Sequence, residues 1–218
     1  MTRPGAVTVA LEVSIRREDV LHFLGYRGHT PGPRTQALLP GVLDEARALI
    51  AARGVHRVLE PDQAPGLGLT CPGSPALAVG LVTIGHELER RVTRCLADGQ
   101  TTHALLLDAA GSAAAEEAAD LLERRIVPSA PRASHRFSPG YGRWPVTAQR
   151  ALFEVIPHDE VGVRLLPSCL MSPRKSVSFA LWLDTGTSGD IPDACRTRRC
   201  ADCDLETCPY REPGGLRP

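Results

Sequence analysis

Arg136-Phe137-Ser138-Pro139-Gly140-Tyr141-Gly142-Arg143-Trp144-Pro145 holds two prolines, two glycines, two arginines and three aromatic residues in a single short stretch. An ordinary connector needs none of that chemistry. Pro139-Gly140 signals a turn, the glycines let backbone come close to a partner, and Arg136 offers a planar fork that matches a carboxylate. From these residues alone, two readings stand. One is a ligand-facing loop; the other is a well-packed turn in which Tyr141 and Trp144 plug a core edge and Arg136 is solvated.

Downstream, Thr147 reads as the cap of a helix to about Val155, Val161 to Leu166 as a strand, and Ser176-Val177-Ser178-Phe179-Ala180-Leu181-Trp182-Leu183 as a second strand. Upstream, Val127 to Ser134 is a linker. His103 to Ile126 reads as one long helix or as strand-turn-helix, with Leu105-Leu106-Leu107 buried and Ala113 to Arg125 strongly helical. Its apolar stripe is mostly alanine, so something packs closely against it. Glu116, Glu117 and Asp120 on this segment have the spacing of a solvated acidic face.

Further upstream, Ala76 to Gly85 is a near-continuous apolar run, expected as a strand buried on both faces. Gly85 opens a helix from His86 to Ala97, in which Cys95 is a small core residue. Val55 to Pro61 is expected as a strand, and Cys71 sits in the Pro/Gly-rich loop after it. Val42 to Arg53 is expected as a helix stopped by Gly54, residues 28–37 as a loop, Arg17 to Leu24 as a helix stopped by Gly25, and Ala6 to Val13 as the first strand. His22 and His56 lack partner spacing and read as ordinary surface or core histidines.

The whole chain has 218 residues, enough for one main core and an appendage. Its 25 basic and 25 acidic residues balance, which argues against a nucleic-acid binder or a polybasic membrane attachment. No run reaches the roughly 18 apolar residues of a spanning helix, and the N-terminus alternates too much for a signal segment. A cytoplasmic location is therefore expected.

Two units follow from the change in character after Asp184: a main domain over residues 1–184 and a tail over residues 185–218 that is too poor in aliphatic residues to build a core. The tail carries Cys195-x4-Cys200-x2-Cys203-x4-Cys208, four of the chain's seven cysteines. In a reducing compartment such crowding points to a metal. Four thiolates can hold an iron-sulfur cluster or a structural zinc; the x4 then x2 spacing echoes one iron-sulfur pattern, and zinc remains the alternative. Disulfides or free thiols are the third choice. Arg196, Arg198 and Arg199 would favour thiolates and an anionic cluster.

The order Arg136-x-Ser138-Pro139-Gly140-Tyr141, then Val163-Arg164-Leu165-Leu166-Pro167-Ser168-x2-Met171-x-Pro173-x2-Ser176-Val177-Ser178, resembles the C-terminal activation domain of cobalamin-dependent methionine synthase. That family shows an Arg-Pro-Ala-Pro-Gly-Tyr loop, a Leu-Thr-Glu-Ser segment and a Met-x-Pro-x2-Ser-Val-Ser strand. The match extends over about residues 75 to 183. It includes features of shorter stand-alone versions: a Thr-Ile-Gly turn, here Thr83-Ile84-Gly85, before an Asp-Ala-x-Gly-Ser helix, here Asp108-Ala109-Ala110-Gly111-Ser112.

The resemblance implies an α+β domain with a bent, mostly antiparallel sheet and flanking helices. It also implies binding of S-adenosylmethionine and service to a corrinoid protein, such as a methionine synthase lacking its own activation domain. In the family, cobalt that has slipped to Co(II) is reduced by one electron and trapped by methylation. By position, Arg136 would pair with the ligand's carboxylate, the backbone of Ser138, Pro139 and Gly140 would contact the nucleoside, Tyr141 would lie against it, and Glu116 would face its positive charge. Ser138 replaces a family alanine, and Phe179-Ala180-Leu181 stands where the family has a glycine and aromatics. No Asp-x-His-x2-Gly corrinoid pattern occurs, so the cobalamin would belong to a separate partner in a methyltransferase system for methionine biosynthesis. A tail cluster could supply the electron; otherwise an electron donor protein would. Two other classes stay open: a non-catalytic binding module for a corrinoid methyltransferase with a zinc-stapled tail, and a small iron-sulfur electron carrier.

Overall fold

A computed structural model describes residues 5–26, 29–73, 75–130, 132–142, 144–184 and 191. Strands β1 (Ala6–Ala10), β2 (Arg53–Leu59), β3 (Ala76–Thr83), β4 (Arg132–Ala133) and β7 (Ser176–Asp184) form one sheet in the order β1-β2-β3-β7-β4. Every neighbouring pair in it is antiparallel. Two further short strands, β5 (Arg164–Leu165) and β6 (Met171–Ser172), pair separately. The helices are α1 (Arg17–Phe23), α2 (Pro33–Leu49), α3 (Glu87–Ala97), α4 (Thr101–Ile126) and α5 (Gln149–Val155).

The apolar run of β3 is buried at every position because the sheet is covered on both faces. One core holds Val82, Phe179 and Leu181 under α1 to α4; the other holds Val55, Val79, Leu81, Ala180 and Trp182 under Trp144 and the α5 residues Leu152 and Phe153. Near-continuous burial is typical of parallel sheets, yet here an antiparallel sheet achieves it. Phe179 stands where the resembled pattern has a glycine. Its ring lies so close to Gly80, its partner on β3, that a Cβ there would stand 2.4 Å from Cζ. Gly80 thus supplies the space that Phe179 fills.

The segment from His103 to Ile126 belongs to one 26-residue helix, which excludes the strand-turn-helix alternative. Alanines 109, 110, 113, 114, 115, 118 and 119 are buried along it, so α4 lies close to sheet and neighbours. At Gly111 a Cβ would meet Leu88 of α3 at 2.7 Å. Leu105, expected inside, is exposed instead, in line along the helix with the polar residues Ser112 and Glu116 rather than with the centre of the buried face.

Several boundaries differ from expectation for identifiable reasons. Helix α2 begins at Pro33 and contains Pro40, so much of the expected 28–37 loop is helical; proline at the first helical position loses no needed donor. It ends at Leu49 because the chain beyond serves the sheet: Ala51 N–H donates to Ile84 O (3.1 Å) and Ala52 O accepts from Leu11 N–H (3.0 Å). Gly54 is not a helix stop. It lies in β2, where a Cβ would be 3.1–3.2 Å from Leu11, Leu122 and Val82, so its small size lets α4 approach. The first strand stops at Ala10, short of Val13. Thr147 caps no helix and lies in a 3-10 turn, Val146–Ala148, ahead of α5. The strand expected over 161–166 shrinks to β5, since Val161 ends a 3-10 turn and Gly162 follows at φ +74°.

Candidate functional site

Main-chain hydrogen bonds hold the 136–145 loop. Phe137 exchanges two bonds with Ala180 of β7 (2.9 and 2.8 Å), which extends the β4–β7 ladder. The next donor in that ladder would be residue 139, and proline has no N–H, so the pairing ends there. The chain then turns. Tyr141 N–H donates to Ser138 O (3.1 Å) and Gly140 N–H to Trp144 O (2.8 Å), with Gly140 at φ +94°. That left-handed backbone is where glycine is favoured.

The aromatics divide in role. Trp144 is buried, its Nε1–H donates to Leu67 O (2.9 Å), and Phe137 meets it edge-on at 5.4 Å. Tyr141, by contrast, is 69% exposed. The loop therefore combines the two sequence readings: Trp144 is the core plug, and Tyr141 at the turn is presented outward.

Arg136 is not solvated, as the packed-turn reading had it. Its side chain is 12% exposed and points onto α4, where Nη1 donates to Asp120 and to Glu123 (2.8 Å) and Nη2 donates to Glu116 (2.8 Å). Burial alone would lower the guanidinium's affinity for its proton, but the three carboxylates raise it above the ordinary arginine range. The structure thus joins Arg136 and Glu116, both expected at the site, and corrects the solvated acidic face of α4. Glu123 was not singled out by sequence. Its only signal is position, since 116, 120 and 123 follow i, i+4, i+7 along one stripe.

The same stripe continues toward the helix N-terminus through Ser112 and Asp108. Here Lys175, just ahead of β7, donates from Nζ to Ser112 Oγ (2.8 Å) and sits 3.0 Å from Asp108 Oδ2. Its backbone N–H donates to Glu89 Oε1 (2.6 Å), and its stem passes 3.4 Å from where a Cβ on Gly111 would be. The Asp108-x2-Gly111-Ser112 motif is therefore a seat for a lysine. Elsewhere, Glu45 of α2 accepts from Arg91 of α3 and lies 2.6 Å from His103 Nε2 of α4. Burial would raise its carboxyl, yet these bonds outweigh it and hold the group below its ordinary range. His56 has a buried Nδ1 without a partner, and burial pushes its pKa down.

Cys95 and Cys169 are buried free thiols. Cys195, Cys200, Cys203 and Cys208 lie outside the described residues. Among the described residues, no group of three or more His, Cys, Asp or Glu side chains is arranged to hold a metal ion, and no helix is long and apolar enough to cross a membrane.

No family model and no curated protein matches the sequence. Among solved structures, the MetH reactivation domain bound to AdoHcy superposes with a TM-score of 0.62 at 16% identity, over 87% of this chain and 81% of that chain. At that identity the likeness is one of architecture, and it leads to one conclusion: the chain has the fold of the MetH reactivation domain.

Proposed function

We propose that this chain binds S-adenosylmethionine at the 136–141 loop and restores a separate corrinoid protein by reductive methylation. The observation that supports it most is the likeness over 87% of the chain to a reactivation domain solved with AdoHcy, the compound S-adenosylmethionine becomes on losing its methyl group. The residues present fit such a ligand. Arg136 supplies a carboxylate partner, Glu116 an acid for the sulfonium, Ser138 to Gly140 backbone at a glycine turn, and Tyr141 an exposed ring.

In this reading the partner's cobalt is the substrate. One electron takes it from Co(II) to Co(I), whose electron pair attacks the sulfonium methyl carbon. The S–CH3 bond breaks with its pair going to sulfur, leaving S-adenosylhomocysteine and methylated cobalt. This chain's residues hold and orient the sulfonium; a carboxylate near it stabilises the charged reactant, so the gain lies in positioning. The thiolates of Cys195, Cys200, Cys203 and Cys208 would hold an iron-sulfur cluster able to supply that electron; if they hold zinc, a separate donor protein would supply it. The main domain ends at residue 184 and the tail is an added module.

The test is methyl transfer. A corrinoid methyltransferase lacking its own activation domain, in its Co(II) form, is given methyl-labelled S-adenosylmethionine and a reductant, with and without this chain. Label on cobalt should require the chain; equal labelling without it sinks the proposal. Anaerobic purification with assays of iron, sulfide and zinc tests the tail, and one equivalent of zinc alone removes the electron-donor role.

A further inference from the structure

Arg136 has more partners than its charge can balance. Its one positive charge faces Glu116, Asp120 and Glu123 at once, where the proposed function needs a cation free to take a ligand's carboxylate. A fourth carboxylate arriving there is repelled by the three already present. The three are not equivalent. Glu116 is 50% exposed, Asp120 less so, and Glu123 only 16%.

We infer that Asp120 and Glu123 latch Arg136 in the ligand-free chain, and that the α-carboxylate of S-adenosylmethionine binds by taking Arg136 from them. This rests on the S-adenosylmethionine reading above and adds its regulation. Phe137, next in the chain, is fixed to Ala180 by two main-chain bonds, so exchange needs only rotation of the Arg136 side chain over a held backbone. Glu116, the most exposed acid, stays to face the ligand's positive charge. The latched population does not bind, so apparent affinity falls in proportion to it. A ligand without a carboxylate cannot turn the exchange to advantage.

Isothermal titration of the full chain with S-adenosylmethionine tests this, using wild type, Glu123→Gln and Asp120→Asn. The expected result is about two- to fivefold tighter binding by each variant, the size of one part-exposed ion pair. Methylthioadenosine, which lacks the amino-acid moiety, should show no such gain. Glu117→Gln removes the same charge from an ion pair with Arg124 (3.1 Å) and should leave affinity unchanged. If Glu123→Gln fails to fold in a thermal melt, Asp120→Asn carries the same prediction. Binding by wild type with equal or weaker binding by the variants overturns the latch alone; no binding by any of them overturns the S-adenosylmethionine reading with it.

Discussion

Two cations rest on one polar stripe of α4, and they are seated in opposite ways. The Lys175 ammonium meets one carboxylate, Asp108, and one hydroxyl, Ser112, while its stem lies over Gly111. Arg136 meets three carboxylates with no hydroxyl among them. Both side chains are similarly enclosed, 14% exposed for Lys175 and 12% for Arg136. Burial therefore does not separate them; charge balance does. A balanced pair needs nothing more and reads as a fastening between helix and sheet, whereas an overloaded cation is held in a state that another ligand can change.

The widest separation should come from removing each cation. Arg136→Ala is expected to weaken S-adenosylmethionine binding about 10- to 100-fold, the worth of charge-assisted hydrogen bonds, measured by calorimetry. Lys175→Met should do the reverse: affinity within about twofold of wild type, with stability lowered by about 1 kcal/mol in denaturant titration because a half-exposed Asp108 loses its partner. Equal loss of affinity in both variants would erase the distinction between the seats.

A third ion-pair group shows what a purely structural seat does with pH. The folded-state pKa of Glu45 lies below its ordinary value because Arg91 and His103 favour the carboxylate despite burial. Its contribution is therefore present above the unfolded value of about 4.3 and is lost as pH falls through the depressed folded value. Glu45→Gln should flatten the acid limb of the stability profile below about pH 4 by under about 1 kcal/mol, read from melts across pH. Ser138→Ala is the smallest change. A contact made through backbone tolerates the family's alanine, so affinity should move by less than about twofold.

The sequence made much of the sheet legible: the apolar run of β3 agrees with its burial at every position, and the run over 176–183 marks β7, which is also buried almost throughout. The glycines and prolines of the 136–145 loop also kept their meaning, since turn chemistry is local. What was missed depended on distant neighbours. Gly54 looked like a helix stop, and only the close approach of Leu11, Val82 and, from α4, Leu122 explains it. The packing of Phe179 could not be read from its own strand, since the room for its ring comes from Gly80 on the next one. Glu123 could not be distinguished from any surface acid, because its role depends on an arginine 13 residues further on.

The central claim is that Arg136 exchanges its acids for a ligand, and a crystal structure of the chain with S-adenosylmethionine tests it most directly. The account predicts the ligand's carboxylate on the Arg136 guanidinium, released from Asp120 and Glu123, with the adenosine against residues 138–141. A ligand bound elsewhere, with Arg136 still paired to all three carboxylates, would contradict it.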